Sequence, residues 1–101
     1  MATTTKALFR GAATTTVGTT LYTVPSATTT VVTNIAVTNT GSSAYTFTLG
    51  LAGTSLHTTA AIAANTTIYI DCKQVLVATN TITGGASNVA VNFHISGVEI
   101  A

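Results

Sequence analysis

Between residues 45 and 51 every second position is large and apolar: Tyr45, Phe47, Leu49 and Leu51 alternate with Thr46, Thr48 and Gly50. A period of two puts alternate side chains on opposite faces, so this stretch predicts a strand with one buried face and one small, hydroxylated face. Elsewhere the pattern also has period two. Strands are expected over residues 4–10, over 20–24 up to Pro25, and through Val31, Ile35 and Val37, which share one parity. Asn39-Thr-Gly-Ser-Ser43 then reads as a turn. Shorter strands are expected over 56–59, 67–72 and 79–83, with Gly53 and the Gly84-Gly85 pair as stops. Val75 to Val77 reads as a buried loop plug. The run from Ala60 to Ala64 is the best local helix former, but it is too short to stand as a helix.

The last strand, 88–100, changes parity. Val89, Val91, Phe93 and Ile95 are odd, whereas Val98 and Ile100 are even. A flat strand cannot keep both sets on one face. A β-bulge or bend is therefore expected at Ser96-Gly97; otherwise the strand tip leaves the core and buries Val98 and Ile100 against another subunit.

About eight short strands with turns every 8–12 residues predict an all-β fold, an antiparallel sandwich or small barrel. The expected architecture is a single-domain antiparallel β-sandwich of jelly-roll type. Residues 1–16 are its N-terminal strand or arm, and residues 17–101 its body.

Composition changes this picture in one respect. Threonine supplies 25 of 101 residues, and only five side chains carry full charge. Threonine favours strands and wets a surface without charge. A net charge of +1 leaves little repulsion between copies and points to a subunit covered by neighbours. Three cations, Lys6, Arg10 and Lys73, are too few for binding a nucleic-acid backbone. No apolar run approaches the ~20 residues that span a membrane as a helix, and the start of the chain leads into no long apolar signal segment. With no such segment expected, the sequon at Asn65 is read as incidental.

The residues available for chemistry are His57, His94, Asp71, Cys72 and Glu99, and their spacing matches no nucleophile–base or paired-carboxylate pattern. Asp71 and Cys72 are neighbours and would face opposite ways along a strand. A lone cysteine gives no intrachain disulfide, and the glycines form no phosphate-binding loop. The expectation is therefore no enzyme, no cofactor, no metal and no small-molecule substrate. Tyr22, Tyr45 and Tyr69 could form a sugar-stacking platform, although Tyr45 shares parity with core residues. Lys6 and Arg10 share parity, either as a solvated edge or as a basic arm that docks on an acidic neighbour.

The run Leu21-Tyr-Thr-Val-Pro25, followed by Val31-Val-Thr-Asn-Ile35-Ala-Val-Thr-Asn39-Thr-Gly-Ser-Ser43 and the ending Ile95-Ser-Gly-Val-Glu-Ile100, resembles small virion proteins of tailed bacteriophages. That resemblance implies a β-sandwich accessory of the particle: a decoration (cement) protein on the capsid surface, synthesised in the host cytoplasm. It implies self-association as a homotrimer and contact with the major capsid protein, without nucleic acid or membrane. Tail, collar or fibre proteins are the alternative within this class, and a carbohydrate-binding module for host attachment is the alternative outside it. Core packing does not account for the threonine runs in arms and connections. Expected contacts are Thr3, Thr4, Thr5, Lys6, Arg10, Thr14, Thr15, Thr16, Thr28, Thr29, Thr30, Val98 and Ile100.

Overall fold

A computed structural model describes residues 3–16, 18–70 and 73–101. Asp71 and Cys72, weighed above as candidate chemistry, lie outside the described residues. Nine strands are present among the described residues: β1 (Thr3–Ala12), β2 (Thr20–Thr23), β3 (Thr29–Asn39), β4 (Tyr45–Leu51), β5 (Thr54–Ile62), β6 (Thr66–Ile70), β7 (Gln74–Leu76), β8 (Thr81–Ala86) and β9 (Val91–Ile100). They form two antiparallel sheets. One runs β1-β9-β3-β6, with β7 also pairing β3, and the other runs β2-β8-β4-β5. The two halves of the chain pair from the outside in: β1 with β9, β2 with β8, β3 with β6 and β7, and β4 with β5. A long antiparallel ribbon folded at its middle and then rolled gives this order, which is that of a jelly roll. The chain is thus an all-β sandwich, as the alternation predicts.

The tip of the ribbon is the two-residue loop of Ala52 and Gly53, closed by the Leu51–Thr54 pair. Both residues have positive φ, 52° and 77°, the conformation that matches the right-handed twist of a hairpin. Between the sheets lie Val32, Ile35, Val37, Phe47, Leu49, Ile62, Ile82, Val91, Phe93 and Ile95, all buried. The Phe47 and Phe93 rings meet edge to face across the core at 6.3 Å. Asn39 is fully buried at the end of β3. Its amide donates to the carbonyls of Ser43 (2.8 Å) and Ile62 (3.3 Å), and its oxygen accepts from the Gly41 N–H (2.9 Å). These bonds pin the turn that carries the chain from one sheet to the other.

Several elements differ from the sequence expectation. Residues 60–62 extend β5. Gly84 and Gly85 lie inside β8 rather than ending it. A Cβ on Gly84 would lie 2.8 Å from Leu49 Cδ2 and 3.2 Å from the Thr48 carbonyl, so glycine here lets β8 and β4 pack closely. Val75 belongs to a strand and is exposed, as is Val77; only Leu76 between them is buried. Val89 lies in the turn before β9 and is exposed.

The bulge expected within the last strand at Ser96-Gly97 is not there; the extra residues belong to its two neighbours, so Val98 and Ile100 stay on the outer face. Leu8 bulges from β1, and Thr33 bulges from β3, both beside Ser96 and Gly97. β9 itself keeps one parity, with Val91, Phe93, Ile95 and Gly97 buried in sequence and Glu99 following on the same side. Gly97 is required there: a Cβ would lie 2.5 Å from the Val31 carbonyl oxygen and 2.8 Å from Leu8 Cδ1. The bulge at Thr33 also separates Val31 from Ile35 and Val37, placing Val31 on the outer face.

Candidate assembly surface

Residues paired across neighbouring strands share a face, so the register maps the outer side of the β1-β9-β3-β6 sheet directly. Its first row joins Thr29, Ile100 and Thr3. Its second joins Val75, Val31, Val98 and Thr5. Val77 lies two residues beyond Val75 and is 57% exposed, while Val75 itself is 64% exposed. Together these residues make a band of β-branched side chains and threonine hydroxyls with no charged residue in either row. Past the bulges the same face turns polar, with Arg10, His94, Ala36 and Tyr69 in one row and Ala12, Asn92, Thr38 and Thr67 in the next. The Thr38 and Thr67 hydroxyls lie 3.1 Å apart.

The residues expected as contacts therefore divide. Thr3, Thr5, Thr29, Val98 and Ile100 meet on the apolar half of this face. Arg10 lies beyond them, on the polar half. Thr4 and Lys6 pair with Glu99 and Gly97, on the opposite parity. Lys6 and Arg10 thus do not share a face, because the extra residue at Leu8 lies between them. Thr14, Thr15 and Thr16 are exposed on the crossing from β1 to β2. There the Thr14 and Thr19 hydroxyls lie 2.6 Å apart, one donating to the other, and the Thr16 carbonyl, 3.1 Å from Thr14 and 2.7 Å from Thr19, accepts the remaining proton. Thr28 and Thr30 are not available to a neighbour, being buried at 9% and 0% exposure. Thr28 donates to the Ser26 carbonyl at 3.1 Å. Thr30 points inward and meets the Tyr22 hydroxyl at 3.0 Å.

That inward contact is part of a polar tie between the two sheets. Tyr22, on β2, donates its hydroxyl proton to the Glu99 carboxylate on β9. With that proton committed, the Thr30 hydroxyl donates to the Tyr22 oxygen. Lys6 Nζ lies 3.4 Å from Glu99 Oε2. The Tyr22 hydrogen bond, helped by Lys6 and opposed by partial burial, lowers the Glu99 carboxyl below the usual carboxylate range. Burial, followed by the Glu99 hydrogen bond and charge, raises the Tyr22 phenol. Sequence reading placed Glu99 only as a spare acid; its odd number, shared with Phe93 and Ile95, was the signal that it faces inward.

Among the described residues, those available for chemistry are not brought together. His57 lies on β5, its ring 5.8 Å from that of Phe47, whereas His94 stands exposed on the outer face of the other sheet. No group of three potential metal ligands occurs among the described residues. Tyr22 is buried and Tyr45 is half-buried against the core, so of the three tyrosines Tyr69 alone opens to solvent. No helix is long and apolar enough to cross a membrane. The chain matches no known family, curated protein or solved structure.

Proposed function

We propose that this chain is a structural subunit of a virus particle, a decoration or cement protein that bridges neighbouring capsid proteins and joins to copies of itself as a trimer. The observation that carries the reading is the uncharged band of Val31, Val75, Val98 and Ile100 with Thr3, Thr5 and Thr29, open on one face of the sandwich. Burying such a face is favourable by roughly 25 cal/mol per Å² of apolar surface. A chain with five charges meets its neighbours with little electrostatic opposition. In a lattice, each such contact is repeated by symmetry, so a modest area per subunit adds up to a stable shell. The resemblance of residues 21–43 and 95–100 to small phage virion proteins supports the same reading.

Electron microscopy of purified particles carrying a labelled copy of the chain tests it. Shell-wide label and loss of shell stability on deletion of the chain are the expected results. Label confined to one vertex assigns the chain to the tail or collar instead. Absence from particles removes the proposal.

A further inference from the structure

A hollow of about 550 Å³ opens beside β1, lined by Thr5, Lys6, Ala7, Arg10, Thr33, Ser96, Gly97 and Val98. Its position follows from the two bulges. Leu8 and Thr33 sit in the strands on either side of β9 at the same height, and paired bulges bend a sheet locally. Ala7 and Ser96 contribute small side chains to the lining, and Arg10 and Val98 larger ones. β1 is the border strand of its sheet, so the hollow is reached from the side as well as from the front.

The chemistry of the lining has one sign. Two of the three cations of the chain line it, and no carboxylate does among the described residues. Lys6 is partly spent on Glu99 behind it. The Arg10 side chain makes no hydrogen bond or ion pair among the described residues, and its cross-strand neighbour is His94 rather than an acid. The Thr33 hydroxyl is committed to the Ser96 carbonyl at 3.2 Å, whereas the hydroxyls of Thr5 and Ser96 are uncommitted among the described residues. A guanidinium offers a planar pair of N–H donors matched to the two oxygens of a carboxylate, and the two hydroxyls add donors from the lining.

We propose that this hollow seats an acidic side chain of a partner protein, with Arg10 as the principal contact. We assign the occupant to a different chain because acids are scarce in this one. The whole sequence holds two acids, Asp71 and Glu99, and Glu99 is engaged by Tyr22 and Lys6. The site borders the apolar rows, sharing Thr5 and Val98 with the second of them, but its principal contact, Arg10, lies outside them and does not depend on the virion reading. Either can fail while the other stands.

The test is a titration of the isotope-labelled protein, followed by amide NMR, at fixed ionic strength. The probes are a capped peptide with a central glutamate, its glutamine counterpart, and inorganic phosphate. The glutamate peptide is expected to shift the amides of Thr5, Arg10 and Ser96. Arg10→Ala should weaken it about fivefold, in keeping with one exposed ion pair, and Lys73→Ala, which removes the same charge elsewhere, should leave it unchanged. Equal shifts with the glutamine peptide, no shifts at these residues with the glutamate peptide, or binding of phosphate alone would each overturn the proposal.

Discussion

Tyr22 and Glu99, seventy-seven positions apart, join the two sheets of the sandwich through one hydrogen bond from the phenol to the carboxylate. The bond links the second strand to the last and sits beside the buried Thr30 hydroxyl. Tyr22→Phe removes a donor to a charged group and leaves Thr30 without its partner, a loss of about 2 kcal/mol. Urea denaturation of the two proteins at neutral pH measures it.

The same tie makes stability depend on acid. The Glu99 carboxyl is lowered in the folded state, so the folded protein binds this proton less readily than the unfolded chain. Its contribution is present above the ordinary carboxylate value of 4.5 and is lost as pH falls through the lowered folded value. Thermal melting from neutral pH into acid should show stability declining in that window. Glu99→Gln should flatten the decline, and an unchanged profile in that variant would assign the acid sensitivity elsewhere.

Gly97 lies between two bulged strands with no room for a methyl group. Gly97→Ala would drive Cβ against the Val31 carbonyl, which is main chain and cannot rotate away. The expected cost is about 3 kcal/mol. Because Gly97 also lines the hollow, the variant's amide spectrum should change at Leu8 and Thr33 first.

At the ribbon tip the opposite change is available. Ala52 holds φ of 52°, a conformation that costs an L-residue with a plain Cβ roughly 1 kcal/mol. Asparagine before glycine is the favoured pair for this turn. Ala52→Asn should raise the denaturation midpoint by an amount equivalent to about 1 kcal/mol, without altering the spectrum of the core.

These residues also show what the chain reveals when read as a string. The alternation of β4 is plain because Tyr45, Phe47, Leu49 and Leu51 separate cleanly from small neighbours. The two-sheet, all-β architecture follows from that kind of pattern repeated between turns. The bulge at Thr33 does not announce itself, since Val31 and Val32 are equally apolar and either could face inward. Gly84 reads as a stop because its reason for being glycine, Leu49 on the adjacent strand, is remote in sequence. Threonine is the most ambiguous residue of all. Thr29 stands on the outer face and Thr30 is fully buried, and nothing local separates them except the partner, Tyr22, that the fold brings to the second. Of the expected contact surface, Val98 and Ile100 were legible by parity, whereas Lys6 and Arg10, split by the bulge at Leu8, and the run at 28–30 needed the tertiary structure to sort them.

The central claim is that the protein associates through the apolar rows on the outer face of the β1-β9-β3-β6 sheet. Sedimentation velocity of the purified protein, beside a Val31→Glu/Val98→Glu double variant, tests it most directly. Both substituted positions are on the outer face, so the variant should keep the folded amide spectrum of the parent. The account predicts that the parent sediments as a discrete oligomer of its 10.1 kDa chain and that the variant sediments as the single chain. A parent that remains a single chain, or an oligomer that persists unchanged when two charges are placed on this face, would contradict it.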